Sequence, residues 1–407
     1  MDDRRADWRR LNRHRYNHNV RSSFRLHWAA LLTDAGLYFV FAALPFRALE
    51  LGAGPVALGA LPTLYAGTYM CAAALGGRLS DRIPRLTLAR AGCALFVAGS
   101  LILSQVSTLL SLAATIPFLG IALGCFWSPI QATLSDRSEP CQLPKTLGIF
   151  NVAWSLGKGT GIVLGGVLAE TFAPDFVLML AGLPVLATFA LLSTDPERRA
   201  LTVRPALSDG TSTSSPSQAD TLLRLAWMTN ALAYGVVGTF NMHAPAYLID
   251  LGSGPSEFGL IFGAVLLVQT LTFAAVALVH PRPKRGTLLL SLAMATLALM
   301  LFLLMSGSLL RLVVLLPLGA ATGLAYHASL HQSLDRSHER GRCAGLHETL
   351  LGAGSSTLPL LGGGLAALTL SLAAPFVLSI AFLLGGLCVT ALTSTRPGIR
   401  PSTPRWE

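Results

Sequence analysis

The chain has 407 residues, of which 52% are hydrophobic and 12% charged, with a formal net charge of +10. A soluble protein carries about 25% charged residues, so this balance, with a mean hydropathy of +0.59, excludes an ordinary water-soluble enzyme. Nor is the excess of Lys and Arg a nucleic-acid footprint, which would need them gathered on one folded surface.

Apolar runs of about 20 residues, enough to cross a hydrocarbon core of about 30 Å, recur along nearly the whole chain. They predict an all-α polytopic membrane protein with spans over 26–48, 55–77, 86–107, 109–132, 146–170 and 174–194, then 222–248, 257–280, 287–307, 309–333, 344–369 and 371–394. Residues 1–25 hold eight Arg and no apolar run, and read as a basic cytoplasmic tail without a fold of its own. A bundle over 26–194 is followed by a Pro-, Ser-, Thr- and Asp-rich linker over 195–220, a second bundle over 221–394 and a short tail over 395–407. With the N-terminus in the cytoplasm, 27 of the 30 Lys and Arg fall on the cytoplasmic side; Arg47 and Arg311 fall opposite and Lys158 lies inside a span. The positive-inside rule therefore places both termini in the cytoplasm, and the charge also favours anionic lipid headgroups. Six scattered Cys, mostly within spans, have no spacing of metal or redox type.

The two halves repeat. Glu50-Leu-Gly-Ala-Gly-Pro55 matches Asp250-Leu-Gly-Ser-Gly-Pro255 at an offset of 200. At the same offset Arg82 and Arg85 meet Arg282 and Arg285. At an offset of 199 the Asp136-Arg137-Ser138 run meets Asp335-Arg336-Ser337. Both halves start in the cytoplasm and hold six spans, so an axis along the membrane normal should relate them, with a substrate path between.

The loop after the second span, Gly77-Arg-Leu-Ser-Asp81-Arg82-Ile-Pro-Arg85, resembles the signature between helices 2 and 3 of the major facilitator superfamily, with Pro84 in place of its second Gly. That resemblance implies two six-helix bundles, and a cytoplasmic gate in which Asp81 engages charged and helix-terminal groups of the other half while Arg82 and Arg85 support the turn. Gly77, Arg137 and Arg336 belong to the same expected gate. The fifth span resembles the family's antiporter pattern through Gly148, Gly157, Gly161, Gly165 and Gly166, with Ile162 where that pattern has Pro. The eleventh repeats it with Gly345, Gly354, Gly362 and Gly363, where Pro359 holds the Pro position and Leu358 replaces a Gly. Small residues at these spacings also let helices approach closely in lipid. Within the fourth span the run 111–129 lacks the Arg that many proton-coupled members carry there.

Charges deep in a span are costly and usually face a cavity or a partner. Asp34 lies nine residues beyond Arg25, about 13 Å into the hydrocarbon, and Lys158 lies about 20 Å beyond Lys145. The expectation is an ion pair between them in one conformation, released by protonation of Asp34 or by substrate, because a carboxylate's titration depends on burial and on nearby charge. Glu348, shallower and matching Asn151 of the first half, reads as a second proton site, a contact for a cationic substrate, or a latch to Arg342 or Arg137. His347 beside it reads as a packing residue. Further candidates for the cavity wall are Trp127, Gln131, Asn151, Trp154, Asn230, Tyr234, Asn241, His243, Gln269, Tyr326 and His327, since an apolar pocket with a few polar anchors suits a small ligand. Tyr234 gains weight because it holds the duplicated position of Asp34.

The expected function is export of a small organic or amphipathic solute in exchange for protons, by alternating access. Uptake or facilitated diffusion of a polar metabolite such as a sugar is the rival, and a transport-dead sensor a more distant one. No cofactor, metal or nucleic acid is implied, a monomer in a bacterial inner membrane is expected, and no nucleophile–base set supports an enzyme.

Overall fold

The computed structural model describes residues 2–80, 82–138, 143–195, 218–279, 282–334 and 340–393. Every regular element among them is helical: α1 (Asp2–Glu50), α2 (Pro55–Leu79), α3 (Arg85–Ser104), α4 (Leu109–Arg137), α5 (Leu143–Thr171), α6 (Pro174–Leu180), α7 (Gly182–Ser193), α8 (Gln218–Asp250), α9 (Pro255–Val279), α10 (Arg285–Leu304), α11 (Ser308–Leu334), α12 (Arg340–Thr369) and α13 (Ala374–Leu392). Eleven spans are long and apolar enough to cross a bilayer. The twelfth, α8, is long enough but less apolar, because Asn230, Asn241 and His243 interrupt it.

Two elements differ from the sequence expectation. The sixth span is two pieces, α6 and α7, divided at Ala181. Pro184 lacks the N–H that would bond the Leu180 carbonyl four residues earlier, and its ring crowds that carbonyl. The first helix, moreover, begins at Asp2, so it runs back through the segment expected as a tail. Arg and Ala are good helix formers, and turns add readily to a helix already nucleated by a packed span.

The duplication is written into the backbone. Gly52 and Gly252 adopt φ of +81° and +82°, a conformation that costs Gly nothing. At each, the glycine N–H reaches back three residues and the next N–H reaches back five, to Ala48 and Leu248, which closes the last carbonyls of α1 and α8 in the same terminal motif. Pro55 and Pro255 then open α2 and α9, where a missing N–H is harmless.

Within the first half α1 packs on α5, and α4 on α2 and α3; within the second, α8 packs on α12, and α11 on α9 and α10. Between halves the main contacts are α5 on α9 and α2 on α12. Glycines set these approaches: a Cβ on Gly161 would lie 2.9 Å from Tyr38 Cβ, one on Gly165 2.6 Å from Ala42 Cβ, and one on Gly166 2.6 Å from the Pro255 carbonyl of the other half. Gly157 meets the Leu31 carbonyl, Gly354 the Ala231 carbonyl and Gly363 the Pro55 carbonyl, all too closely for a side chain, while Gly148 and Gly362 face Ala277 and Pro375.

Candidate substrate site between the two halves

A cavity of about 180 Å³ lies on the interface, walled by α1, α2, α4 and α5 from one half and α8, α11 and α12 from the other. Asp34, Lys158 and Glu348 all line it, as do Trp127, Gln131, Trp154, Tyr234, Asn241 and Tyr326. Three helices from both halves thus bring the three charges of the sequence reading to one place.

The expected pairing takes a different form. Among the described residues no hydrogen bond or ion-pair contact joins Lys158 to Asp34 or Glu348, although the ammonium is near enough to feel both carboxylates. Instead its Nζ lies 4.3 Å from the centre of the Trp154 ring, 5.2 Å from that of Tyr38 and 5.9 Å from that of Tyr234. A cation over the face of an aromatic ring is attracted by the ring's quadrupole. Asp34 is 3% exposed and, like Glu348, makes no hydrogen bond to another described residue. Arg137, one of the latch partners expected for Glu348, has its Nη1 2.7 Å from Asp195 Oδ2 in this structure.

The second layer explains several other candidates. Asn151 Oδ1 accepts a hydrogen bond from Trp154 Nε1 at 3.0 Å, so it orients the ring and does not line the cavity. Gln269 Nε2 donates to the Tyr234 hydroxyl at 3.3 Å and to Thr322 Oγ1 at 3.2 Å, while its own Oε1 is buried without a partner. His243 bonds the Pro359 carbonyl through Nε2 at 2.9 Å and bolts α8 to α12 away from the cavity. Asn230 approaches the fully buried His347 at 3.5 Å, and His347 Nδ1 lies 2.7 Å from Ser329 Oγ. His327 packs beside His331 on α11, outside the wall. Sequence reading missed Tyr38, Tyr65 and Tyr69, which line the cavity. The signal was there at helical spacing: Tyr38 one turn past Asp34, and Tyr65 one turn before Tyr69, so each pair shares a helix face.

Cross-half packing seals the cavity on the face that carries the α1–α2 and α8–α9 turns. There Phe46 meets Phe258 with ring centres 5.8 Å apart, Thr63 Oγ1 donates to the Ser356 carbonyl at 2.9 Å, and the Ser256 N–H donates to Glu170 Oε2 at 2.8 Å. On the other side the wall residues Trp127, Gln131, Tyr69 and Glu348 are partly exposed, so the cavity opens toward the Arg-rich loops. Of the expected gate, Asp81 and Arg336 lie outside the described residues. Arg82 is exposed, Gly77 has open space around it, and Arg85 pairs with Asp136 at the end of α4. Arg285, its counterpart, donates to the carbonyls of Thr390 and Ala391 at the end of α13.

Two helical bundles of repeated plan, set in the membrane around a largely aromatic cavity that carries three charged side chains and is sealed on one face, are the architecture of a transporter. The Major Facilitator Superfamily profile matches residues 26–357, and the chain belongs to that family. Proteins named multidrug resistance protein MdtL in Shigella dysenteriae and Escherichia coli are each 25% identical over 262 residues, covering 62% of this chain and 66% of theirs. The chain therefore spans just under two thirds of those relatives' length. In the crystal structure of a bacterial homolog of the human lysosomal transporter Spinster, in an inward-facing and occupied conformation, the fold matches with a TM-score of 0.71 at 11% identity, covering 91% of this chain and 95% of that one.

Proposed function

We propose that the chain is a proton-coupled exporter of a small organic or amphipathic solute, working by alternating access. The observation that carries the reading is the set of three charged side chains, Asp34, Lys158 and Glu348, lining one aromatic cavity between the halves with no hydrogen bond or ion pair to a described residue. A charge held in a low-dielectric site without a protein partner is costly, and substrate or a proton would supply what is missing. The MdtL name supports export, and Lys and Arg gathered at the open face support a cytoplasmic opening, cytoplasmic termini and a bacterial inner membrane. A monomer suffices, because both halves of the site come from one chain. On this reading Asp81, Arg82, Arg85 and Arg336 belong to the cytoplasmic gate, and the α5 and α12 glycines allow the halves to close on one another. A sugar-uptake reading has less support, since a neutral polyol does not call for three charges.

The test is proton movement in proteoliposomes when candidate cytotoxic solutes are added, comparing the native chain with Asp34→Asn. Solute-driven proton flux that disappears in the variant is expected. Solute flux without protons, unchanged by Asp34→Asn, would overturn the coupling.

A further inference from the structure

The cavity holds two carboxylates and one ammonium, one more acid than base, inside a wall that is otherwise mostly aromatic and apolar, with Gln131, Asn241 and Ser355 as its neutral polar groups. A lysine in such a place would ordinarily sit against one of the acids, since an ion pair offsets part of the desolvation of both groups. Lys158 does not; it leans on Trp154, Tyr38 and Tyr234, three ring faces contributed by α5, α1 and α8. Ring faces are negative, and cages of this kind are how proteins bind quaternary ammonium groups. An anion entering the seat beside Lys158 would meet three ring faces and, nearby, two carboxylates, which disfavour negative charge.

We propose that this aromatic seat is the place of the substrate's own cationic centre, that Lys158 occupies it in the empty transporter as a tethered competitor, and that an incoming organic monocation displaces it. The proposal deepens the transport reading and rests on the cavity being the substrate site. The displaced ammonium, on its flexible four-carbon stem, then swings toward Asp34 or Glu348, while the substrate's positive centre matches the remaining acid. With both carboxylates ionised, charge in the cavity balances at one substrate cation, which selects monocations over dications, anions and neutral solutes. Lys158 sets affinity and selectivity and touches the substrate's seat only when substrate is absent.

The experiment is equilibrium binding of benzyltrimethylammonium, with phenylmethanesulfonate as its anionic counterpart, to the purified full-length protein in detergent. The native chain should bind the ammonium in preference to the sulfonate. Lys158→Gln should bind the ammonium about tenfold more tightly, the equivalent of about 1.4 kcal/mol, whereas Lys158→Arg, which keeps a cation in the seat, should bind as the native chain does. Trp154→Leu, which dismantles the seat, should lose most of the affinity. Unchanged or weaker ammonium binding by a folded Lys158→Gln, or a native preference for the sulfonate, overturns the proposal. If Lys158→Gln does not yield folded protein, Trp154→Leu decides: full binding without the indole overturns it, and loss of binding with a monodisperse protein supports it. Because this is binding and not flux, a failure of proton coupling in vesicles leaves the result intact, and the two readings fail separately.

Discussion

Glu170 sits at the end of α5, exposed on the sealed face, and accepts the backbone N–H of Ser256 in the first turn of α9, across the divide between the halves. A carboxylate at this position satisfies one of the unpaired N–H groups of a helix start and meets its positive dipole end. At an exposed site such a contact contributes about 0.3–1 kcal/mol, which at an RT of about 0.59 kcal/mol is a factor of about two to five in a two-state population. Since the bond exists only while this face is closed, Glu170→Ala should raise the fraction of molecules open on this face by that factor and leave insertion and thermal stability unchanged. The assay is a spin-label distance distribution between the first-half and second-half ends of the sealed face, read with and without the substitution. Glu170→Asp, with a side chain one methylene shorter, should shift the population part of the way. An unaltered distribution in Glu170→Ala would show that the contact does not hold the face shut, and the reasoning from helix-end electrostatics would be refuted.

Other outcomes follow from the same contacts. Gly166→Leu places a Cβ 2.6 Å from the Pro255 carbonyl and 2.9 Å from Gly259 Cα; backbone cannot yield as a side-chain tip does, so the chain should insert but fail to close this face, seen as loss of transport with persistent labelling, from that side, of a cysteine introduced at Ser355 in the cavity wall. Asp136→Asn breaks a pair whose acid is 56% exposed and should lower the detergent-phase unfolding free energy by less than about 1 kcal/mol. Arg137→Ala leaves Asp195, whose side chain is 1% exposed, without that guanidinium and should cost about 3 kcal/mol; a larger loss for Asp136→Asn than for Arg137→Ala would contradict the burial argument. Asn151→Leu removes the acceptor that holds the Trp154 indole, and should weaken solute binding several-fold while the melting temperature moves little.

The membrane class, the spans and the two-half plan were legible in the sequence because bilayer crossing is a local constraint: about 20 apolar residues must run together, and no tertiary contact is needed to see them. The duplicated turns were equally local, since a Gly at positive φ followed by Gly and Pro closes one helix and opens the next with nothing but its own backbone. The three buried charges could be found for the same reason, each being conspicuous against its apolar span. Their arrangement could not. Axial depth follows from counting residues at 1.5 Å each, but the direction a side chain faces depends on which helices adjoin and how each is rotated. That is why Asp34, Lys158 and Glu348 were gathered as the sequence allowed, yet the ammonium settled on Trp154, Tyr38 and Tyr234 and not on an acid. It is also why Asn151, Gln269 and His243, no less polar than Gln131, stand behind the wall or away from it. Composition and spacing determined that this chain crosses the membrane in two repeated halves with charge at its centre; only the packing of seven helices around one cavity decided which side chains face the path and which hold the others in place.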